Sequence, residues 1–296
     1  MSGPGHTHRV VILGSTGLLG RAMLEYARTQ NIPVTGIARS GADVNIDAMD
    51  DAVLSHTLAE LQPDTVINAI GITGLNLCES DPFLAWRVNA RLVAMLAEIC
   101  RESSSVLLHV STDHFFSGDR DNRHSETAEV RLVNEYARSK YAGEAFALTY
   151  DRALVVRTNF TGYRGVHGAP SFAEWLLNSL RDSGEIVLFE DYYCSTIDTR
   201  SCSKALFDLL LGGHSGLVNV ASRSVSSKKE FAEALAIKLG RSLKNVHNGK
   251  VGLIMPRRAE SLGLDVSKAE SLLGYELPGL DRTVSMIAED LINNGA

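Results

Sequence analysis

Val10-Val11-Ile12-Leu13-Gly14-Ser15-Thr16-Gly17-Leu18-Leu19-Gly20 is the stretch whose reading decides the fold. Four apolar, mostly β-branched residues run into a glycine, as a buried strand does. Residues 20–30 then carry apolar side chains at Ala22, Met23, Tyr26 and Ala27, a helical spacing. In a strand–turn–helix unit of this kind the first glycine permits the tight turn. The second lets a pyrophosphate approach the backbone, and the third lets the helix pack close to the strand. Amides exposed at the helix start then receive phosphate oxygens. Gly14, Thr16, Gly17, Leu18, Leu19 and Gly20 are therefore expected to bind a dinucleotide. A glycine-rich turn without a ligand is the plainer alternative. The turn follows the first strand of an alternating chain, and that position favours the dinucleotide.

Outward from this unit the alternation continues. Residues 34–38, 64–68, 105–110 and 153–157 read as strands, and residues 49–62, 86–102 and 135–150 as helices. The strands are apolar runs without a period of two, the pattern of a parallel sheet covered on both faces. The expected fold is α/β: a Rossmann-type doubly wound parallel sheet over residues 8–160, with a smaller C-terminal substrate-binding lobe over 161–296. Residues 217–240 are expected to return to the main sheet. Of the 296 residues 45% are hydrophobic, 22% charged and 6% aromatic, which excludes a disordered or fibrous chain. Lys and Arg number 29 against 35 Asp and Glu, a net charge of -6, so nothing draws the chain to nucleic acid or an anionic membrane. No apolar run approaches the roughly 20 residues of a membrane helix, and residues 1–9 lack the apolar segment of a secretory signal. Cys78, Cys100, Cys194 and Cys202 match neither a disulfide framework nor a metal-ligand spacing. A reduced, cytoplasmic protein without a metal is expected, and a homo-oligomer is compatible with the sequence.

The second strand bears on the cofactor. Enzymes that use NAD usually end it with an acidic residue that bonds the ribose. Here Val34–Ala38 is followed by Arg39 and Ser40, and the first carboxylate is Asp43. A guanidinium and a hydroxyl suit a 2′-phosphate, so NADP is preferred, with NAD as the alternative. Chemistry is suggested by Tyr136-Ala-Arg-Ser-Lys140, whose two ends share a helix face. An ammonium beside a phenol favours the phenolate and is expected to lower the tyrosine pKa. Ser111-Thr112-Asp113 follows a strand directly, where open α/β sheets place ligands. Arg257-Arg258 could clamp a diphosphate, and Phe172 and Trp175 could stack on a base or simply pack the lobe.

Taken together, Gly14-x-x-Gly17-x-x-Gly20, Asn89, Ser111-Thr112-Asp113 and Tyr136-x-x-x-Lys140 resemble an extended short-chain dehydrogenase/reductase. Gln62–Asn68, Cys78–Pro82, Val110–Phe116, Ser139–Glu144 and Val156–Asn159 resemble the dTDP-4-dehydrorhamnose reductase branch. The resemblance implies an NADPH-dependent reductase of a keto group on a nucleotide-linked deoxysugar. Tyr136 would be the acid, Lys140 would hold the nicotinamide ribose, and Thr112 would be the hydroxyl partner. It further implies cofactor contacts at Asp47 and Ala48, at Ala69, Ile70 and Gly71, and at Thr158, Asn159 and Phe160. Thr73, Thr112, Asp113, Tyr136 and Arg257 would meet the substrate. The alternatives are an NAD(P)-retaining sugar-nucleotide epimerase and a non-catalytic NADP-binding regulatory subunit. Several positions depart from relatives. Asp113 is followed by His114, so the acid of the dehydratases is missing, and no cysteine lies near Thr112. Ala22 and Arg200 stand where the branch has metal-binding glutamates, which leaves no metal site. His167 is read as a loop residue.

Overall fold

The computed structural model describes residues 8–165, 169–182 and 185–294, and His167 lies outside the described residues. The main sheet is built from β1 (Val10–Leu13), β2 (Val34–Ala38), β3 (Val44–Asn45), β4 (Thr65–Asn68), β5 (Val106–Val110), β6 (Ala153–Arg157) and β7 (Gly216–Asn219). Their spatial order is β7-β6-β5-β4-β1-β2-β3, and every neighbouring pair is parallel.

Two helical layers explain the unbroken apolar runs. Val10 and Ile12 face Met23 and Leu206, on the side of helices Leu18–Thr29 and Thr199–Leu211. Val11 and Leu13, pointing the other way, face Leu54 and Leu96 of helices Asp51–Leu61 and Leu92–Ser103. Successive side chains of a strand thus enter different cores, so neither face of β1 has room for a polar residue. The chain leaves β1 toward β2 and returns on the opposite side at β4. This reversal opens a crevice at the carboxyl ends of β1 and β4, the usual ligand site of such sheets.

The lobe packs Leu176, Leu188, Phe231, Leu235 and Ile287 around helices Phe172–Asp182, Lys228–Lys238 and Leu280–Asn293. The expected return over 217–240 differs in extent. Gly216–Asn219 pairs with β6, whereas Lys228–Lys238 stays in the lobe because Phe231, Ala232 and Leu235 are used in its core. Conversely, Thr199–Leu211 and Ser267–Leu273 pack against the main sheet through Leu206, Leu209, Ala269 and Leu273. A four-stranded sheet of Ser226–Ser227, Tyr193–Cys194, Ser261–Leu264 and Arg123–His124 ties the two parts together.

The helix expected over 86–102 is interrupted. Pro82–Trp86 runs into a π-turn, Arg87–Arg91, before α-helix resumes at Leu92. Buried Val88, Leu92 and Leu96 keep a four-residue spacing across the turn, so periodicity does not reveal it. No described helix is long and apolar enough to cross a membrane.

Candidate active site

The glycine turn has the geometry its sequence suggests. Gly14 adopts φ +80, and a Cβ there would meet the Ala69 carbonyl carbon at 3.0 Å. A Cβ on Gly20 would meet the Gly14 carbonyl oxygen at 2.1 Å, so the helix can cross the turn only with glycine at that position. Gly17 caps helix Leu18–Thr29 with no side-chain hydrogen bond, and Thr16, Leu18 and Leu19 lie in the turn and the first helical residues. Amides at such an uncapped start can receive phosphate oxygens. At the end of β2, Arg39 and Ser40 are exposed. Asp43 accepts from the Gly36 amide at 2.7 Å and pairs with Arg28 at 2.8 Å. Its carboxylate is thereby partnered, while Arg39 directly follows the strand. Asp47 and Met49 line a polar cleft of about 520 Å³ with Arg87 and Arg91, while Ala48 is buried beside it.

The loop after β4 joins this turn to the catalytic helix. Ala69 and Ile70 pack against Gly14, and a Cβ on Gly71 would stand 3.5 Å from Asn89 Oδ1 and 3.9 Å from Lys140 Nζ. Asn89 fixes the loop from the π-turn. Its Oδ1 accepts from the Ile72 amide at 2.9 Å, and its Nδ2 donates to the Ile72 carbonyl at 3.0 Å and to Ser139 Oγ at 3.1 Å. Thr73 is exposed at the rim.

Helix Glu135–Ala147 starts at Asn134, whose side chain accepts from the Ala137 amide and donates to the Arg257 carbonyl. Its first turns bury Tyr136 and Lys140 on one face. The Thr112 hydroxyl faces the Tyr136 phenol and lies 3.3 Å from Asp113 Oδ1. Burial raises the Tyr136 pKa, and the Thr112 contact offsets only part of that rise. The expected lowering by Lys140 is therefore not what the structure gives. The Lys140 ammonium donates to the Val110 carbonyl at 2.7 Å, and burial lowers its pKa to about 8. A phenol raised in this way is protonated at neutral pH, the form a proton donor needs.

Behind Lys140 stands His109. Asn68 Oδ1 accepts from the Ile70 amide, so its Nδ2 faces His109 Nδ1 at 3.2 Å. The remaining ring nitrogen, Nε2, then carries the proton and faces Lys140 Nζ at 3.5 Å. Burial and the Lys140 charge keep His109 neutral. Below the active-site strand end, Ser111 Oγ donates to Glu144 Oε1 at 2.5 Å, and Arg157 pairs with Glu144 at 2.8 Å, both side chains almost fully buried. Thr158 and Phe160 follow β6, with Thr158 buried beside Cys202 and Phe160 in a short strand against Ile197. Asn159 holds Asp113 at 2.7 Å.

A cleft of about 290 Å³ lies in the lobe, lined by Phe172, Trp175, Phe189, Tyr192, Lys228 and Arg258. Phe172 and Trp175 stack at 5.6 Å, and Lys228 Nζ lies 4.6 Å from the Phe172 ring centre. The Arg257 side chain is exposed, whereas Arg258 lines the cleft with its Nε buried and without a hydrogen-bond partner. The guanidinium candidate for the substrate side is therefore Arg258, one residue on. His114 links the catalytic helix to the cleft residue Tyr192, edge-on to Tyr136 at 5.6 Å and 3.2 Å from the Tyr192 hydroxyl. Burial lowers the His114 pKa to about 4, so the ring is neutral. Sequence reasoning missed Lys228, Ser139 and the Glu144–Arg157 pair. The signal for Lys228 was present: Ser227 and Glu230 form a capping box that sets Lys228 in the first turn. Arg200, at one of the metal-ligand positions, pairs instead with Asp290, and Ala22 carries no donor. No cluster of three or more metal-ligating side chains occurs among the described residues.

Comparison with known proteins gives the family and the fold. A family model described as the RmlD substrate binding domain matches residues 8–292. The probable low-salt glycan biosynthesis reductase Agl14 of Haloferax volcanii is 29% identical, over 91% of this chain and 94% of its own length. The dTDP-4-dehydrorhamnose reductase of Mycolicibacterium smegmatis is 31% identical, over 76% of this chain and 68% of its own length. Among solved structures, the dTDP-4-dehydrorhamnose reductase of Bacillus anthracis in complex with NADP superposes with TM-score 0.84 at 20% identity, covering 96% of this chain and 99% of that one.

Proposed function

This chain belongs to the RmlD substrate-binding family, and on that premise we propose that it reduces a keto group on a nucleotide-linked deoxysugar with NADPH. The observation that carries the proposal is one continuous path. Gly14 touches Ala69 and Ile70, Gly71 stands over Lys140, and Lys140 shares a buried helix face with Tyr136, which faces the Thr112 hydroxyl.

The residues present fit the cofactor. The glycine turn and the uncapped amides of residues 17–20 would hold the pyrophosphate, and Arg39 with Ser40 a 2′-phosphate. Asp47, Met49 and Arg87 line the cleft beside them. When bound, the nicotinamide supplies the hydride. The chain's own residues do the rest. Lys140 lies under Gly71, within reach of a ribose placed along the glycine turn. A carbonyl oxygen placed beside Tyr136 would take the phenol's hydrogen bond, with the Thr112 hydroxyl next to it. Tyr136, kept protonated by burial, releases its proton to that oxygen as charge develops there. The lobe cleft receives the remainder of the substrate: Phe172 and Trp175 offer aromatic faces, and Lys228 and Arg258 offer cations to phosphate oxygens.

Tyr136→Phe tests the assignment. NADPH consumption is followed with a dTDP-4-keto-6-deoxysugar, and NADPH binding is measured separately. Binding should persist while turnover falls by roughly a hundredfold or more. Turnover at the wild-type rate would remove Tyr136 as the acid.

A further inference from the structure

Asp113 is a carboxyl group almost fully buried at the carboxyl end of the active-site strand, and none of the steps above uses it. Its two oxygens have different surroundings. On one side the donors run in a single direction. Thr196 Oγ1 donates to Asn159 Oδ1 at 2.8 Å, which commits the Asn159 amide nitrogen to donate to Asp113 Oδ2 at 2.7 Å. Cys194 Sγ, 3.2 Å from Thr196 Oγ1, is placed to donate into the same line. Oδ2 is therefore an acceptor. The other oxygen, Oδ1, faces the Thr112 hydroxyl at 3.3 Å, and that hydroxyl stands between it and the Tyr136 phenol. A carboxyl proton belongs on Oδ1, one hydroxyl away from the phenol.

We propose that Asp113 stores the proton that restores Tyr136 after each turnover, passing it through the hydroxyl of Thr112. This step rests on the reductase reading above. Once Tyr136 has given its proton to the substrate oxygen, the Thr112 O–H bond breaks as the Tyr136 O–H bond forms. The Asp113 Oδ1–H bond breaks as a new Thr112 O–H bond forms. The sum converts a phenolate and a carboxylic acid into a phenol and a carboxylate, with no electron transferred. The groups facing Asp113 bear on the exchange. Tyr136 comes from helix Glu135–Ala147, Tyr192 from the segment before strand Tyr193–Cys194, and Lys228 from the first turn of its helix. Neutral His114 follows Asp113 in the chain. Lys228 is the cation that favours the carboxylate, and it lines the open cleft from which a new proton can enter.

Asp113→Asn is the direct test, because it preserves shape and can still pair with Asn159 while holding no acidic proton. Under saturating NADPH and keto-sugar nucleotide, kcat should fall on the order of a hundredfold, the low end of what positioned proton transfer contributes. KM should stay near its wild-type value. The wild-type kcat profile should show a limb near pH 7, where burial places the Asp113 pKa, and the variant should lack it. The proton inventory in mixed H₂O and D₂O should change from curved to linear. Thr112→Ser, which keeps the bridging hydroxyl, should retain both the limb and the curvature. Infrared difference spectroscopy gives a readout that needs no turnover: a protonated-carboxyl band in the wild type at pH 6, absent from Asp113→Asn. Absence of that band, or an unchanged pH profile and inventory in the variant, overturns the proposal. Failure of the wild type itself to turn over any keto-sugar nucleotide would overturn the reductase reading instead. The infrared comparison would still decide whether Asp113 carries the proton.

Discussion

Gly143→Ala sets two physical effects of opposite sign against each other. Gly143 lies in the interior of helix Glu135–Ala147, three residues past Lys140, and replacing a helical glycine by alanine ordinarily stabilises by about 1 kcal/mol. Here the added Cβ would stand 2.2 Å from the Asn89 carbonyl oxygen and 3.4 Å from His109 Nε2. Relaxing from 2.2 Å to the roughly 3.3 Å at which carbon and carbonyl oxygen rest requires about 1 Å of movement. The Asn89 carbonyl is backbone held in the π-turn, so the helix has to shift as a body. Overpacking of this kind costs about 1–3 kcal/mol, and contact with rigid backbone takes the upper end. The net effect is a loss of roughly 2 kcal/mol, or about 3 °C in Tm for a chain of this size. Activity should suffer more than stability. The same shift carries Lys140 and Tyr136 away from Gly71 and Thr112, and a 1 Å misplacement can cost about a hundredfold in rate. Scanning calorimetry and steady-state NADPH oxidation measure the two quantities. A variant as stable as the wild type or more so, with full turnover, would refute the claim that the π-turn sets the position of the catalytic helix.

Arg157→Met leaves the Glu144 carboxylate buried without its cation and should destabilise by about 3–5 kcal/mol. Adding Glu144→Gln should recover much of that loss in a denaturant titration, and no recovery would show that the pair is not coupled. Arg258→Met should raise KM for the nucleotide sugar roughly tenfold or more, the worth of a hydrogen bond to a charged group, with kcat little changed. An unchanged KM would exclude Arg258 from the substrate cleft. Burial raises the Asp113 pKa from 3.8 to about 7, so between these values the folded chain holds a proton that the unfolded chain has released. Its contribution to stability is complete below about pH 4 and is lost as pH rises through 7. Asp113→Asn should therefore gain stability relative to wild type as pH rises across this window. His114, whose lowered pKa acts in the opposite direction, is common to both chains and cancels in the difference. A pH-independent difference in Tm would contradict the buried-acid assignment.

Local chemistry determined a large share of this protein in advance. Glycines at 14, 17 and 20 after a β-branched run can satisfy sterics in few other ways, and a four-residue spacing places Tyr136 and Lys140 on one helix face wherever the helix sits. Apolar runs without alternation required a sheet covered on both sides. Tertiary structure decided what depends on contacts distant in sequence. The π-turn that aims Asn89 at Ile72 and Ser139 leaves no mark on the apolar period. Residues 228–238 carry a helical pattern that would suit either core, and only the packing of Phe231 and Leu235 places them in the lobe. One step of backbone direction separates the exposed Arg257 from Arg258 in the cleft. The sign of the Tyr136 shift was beyond sequence for a related reason: spacing brings an ammonium near a phenol, but the pKa depends on how much water both have lost and on where the ammonium points. Burial and the Val110 carbonyl settle that, and both exist only once the chain has folded.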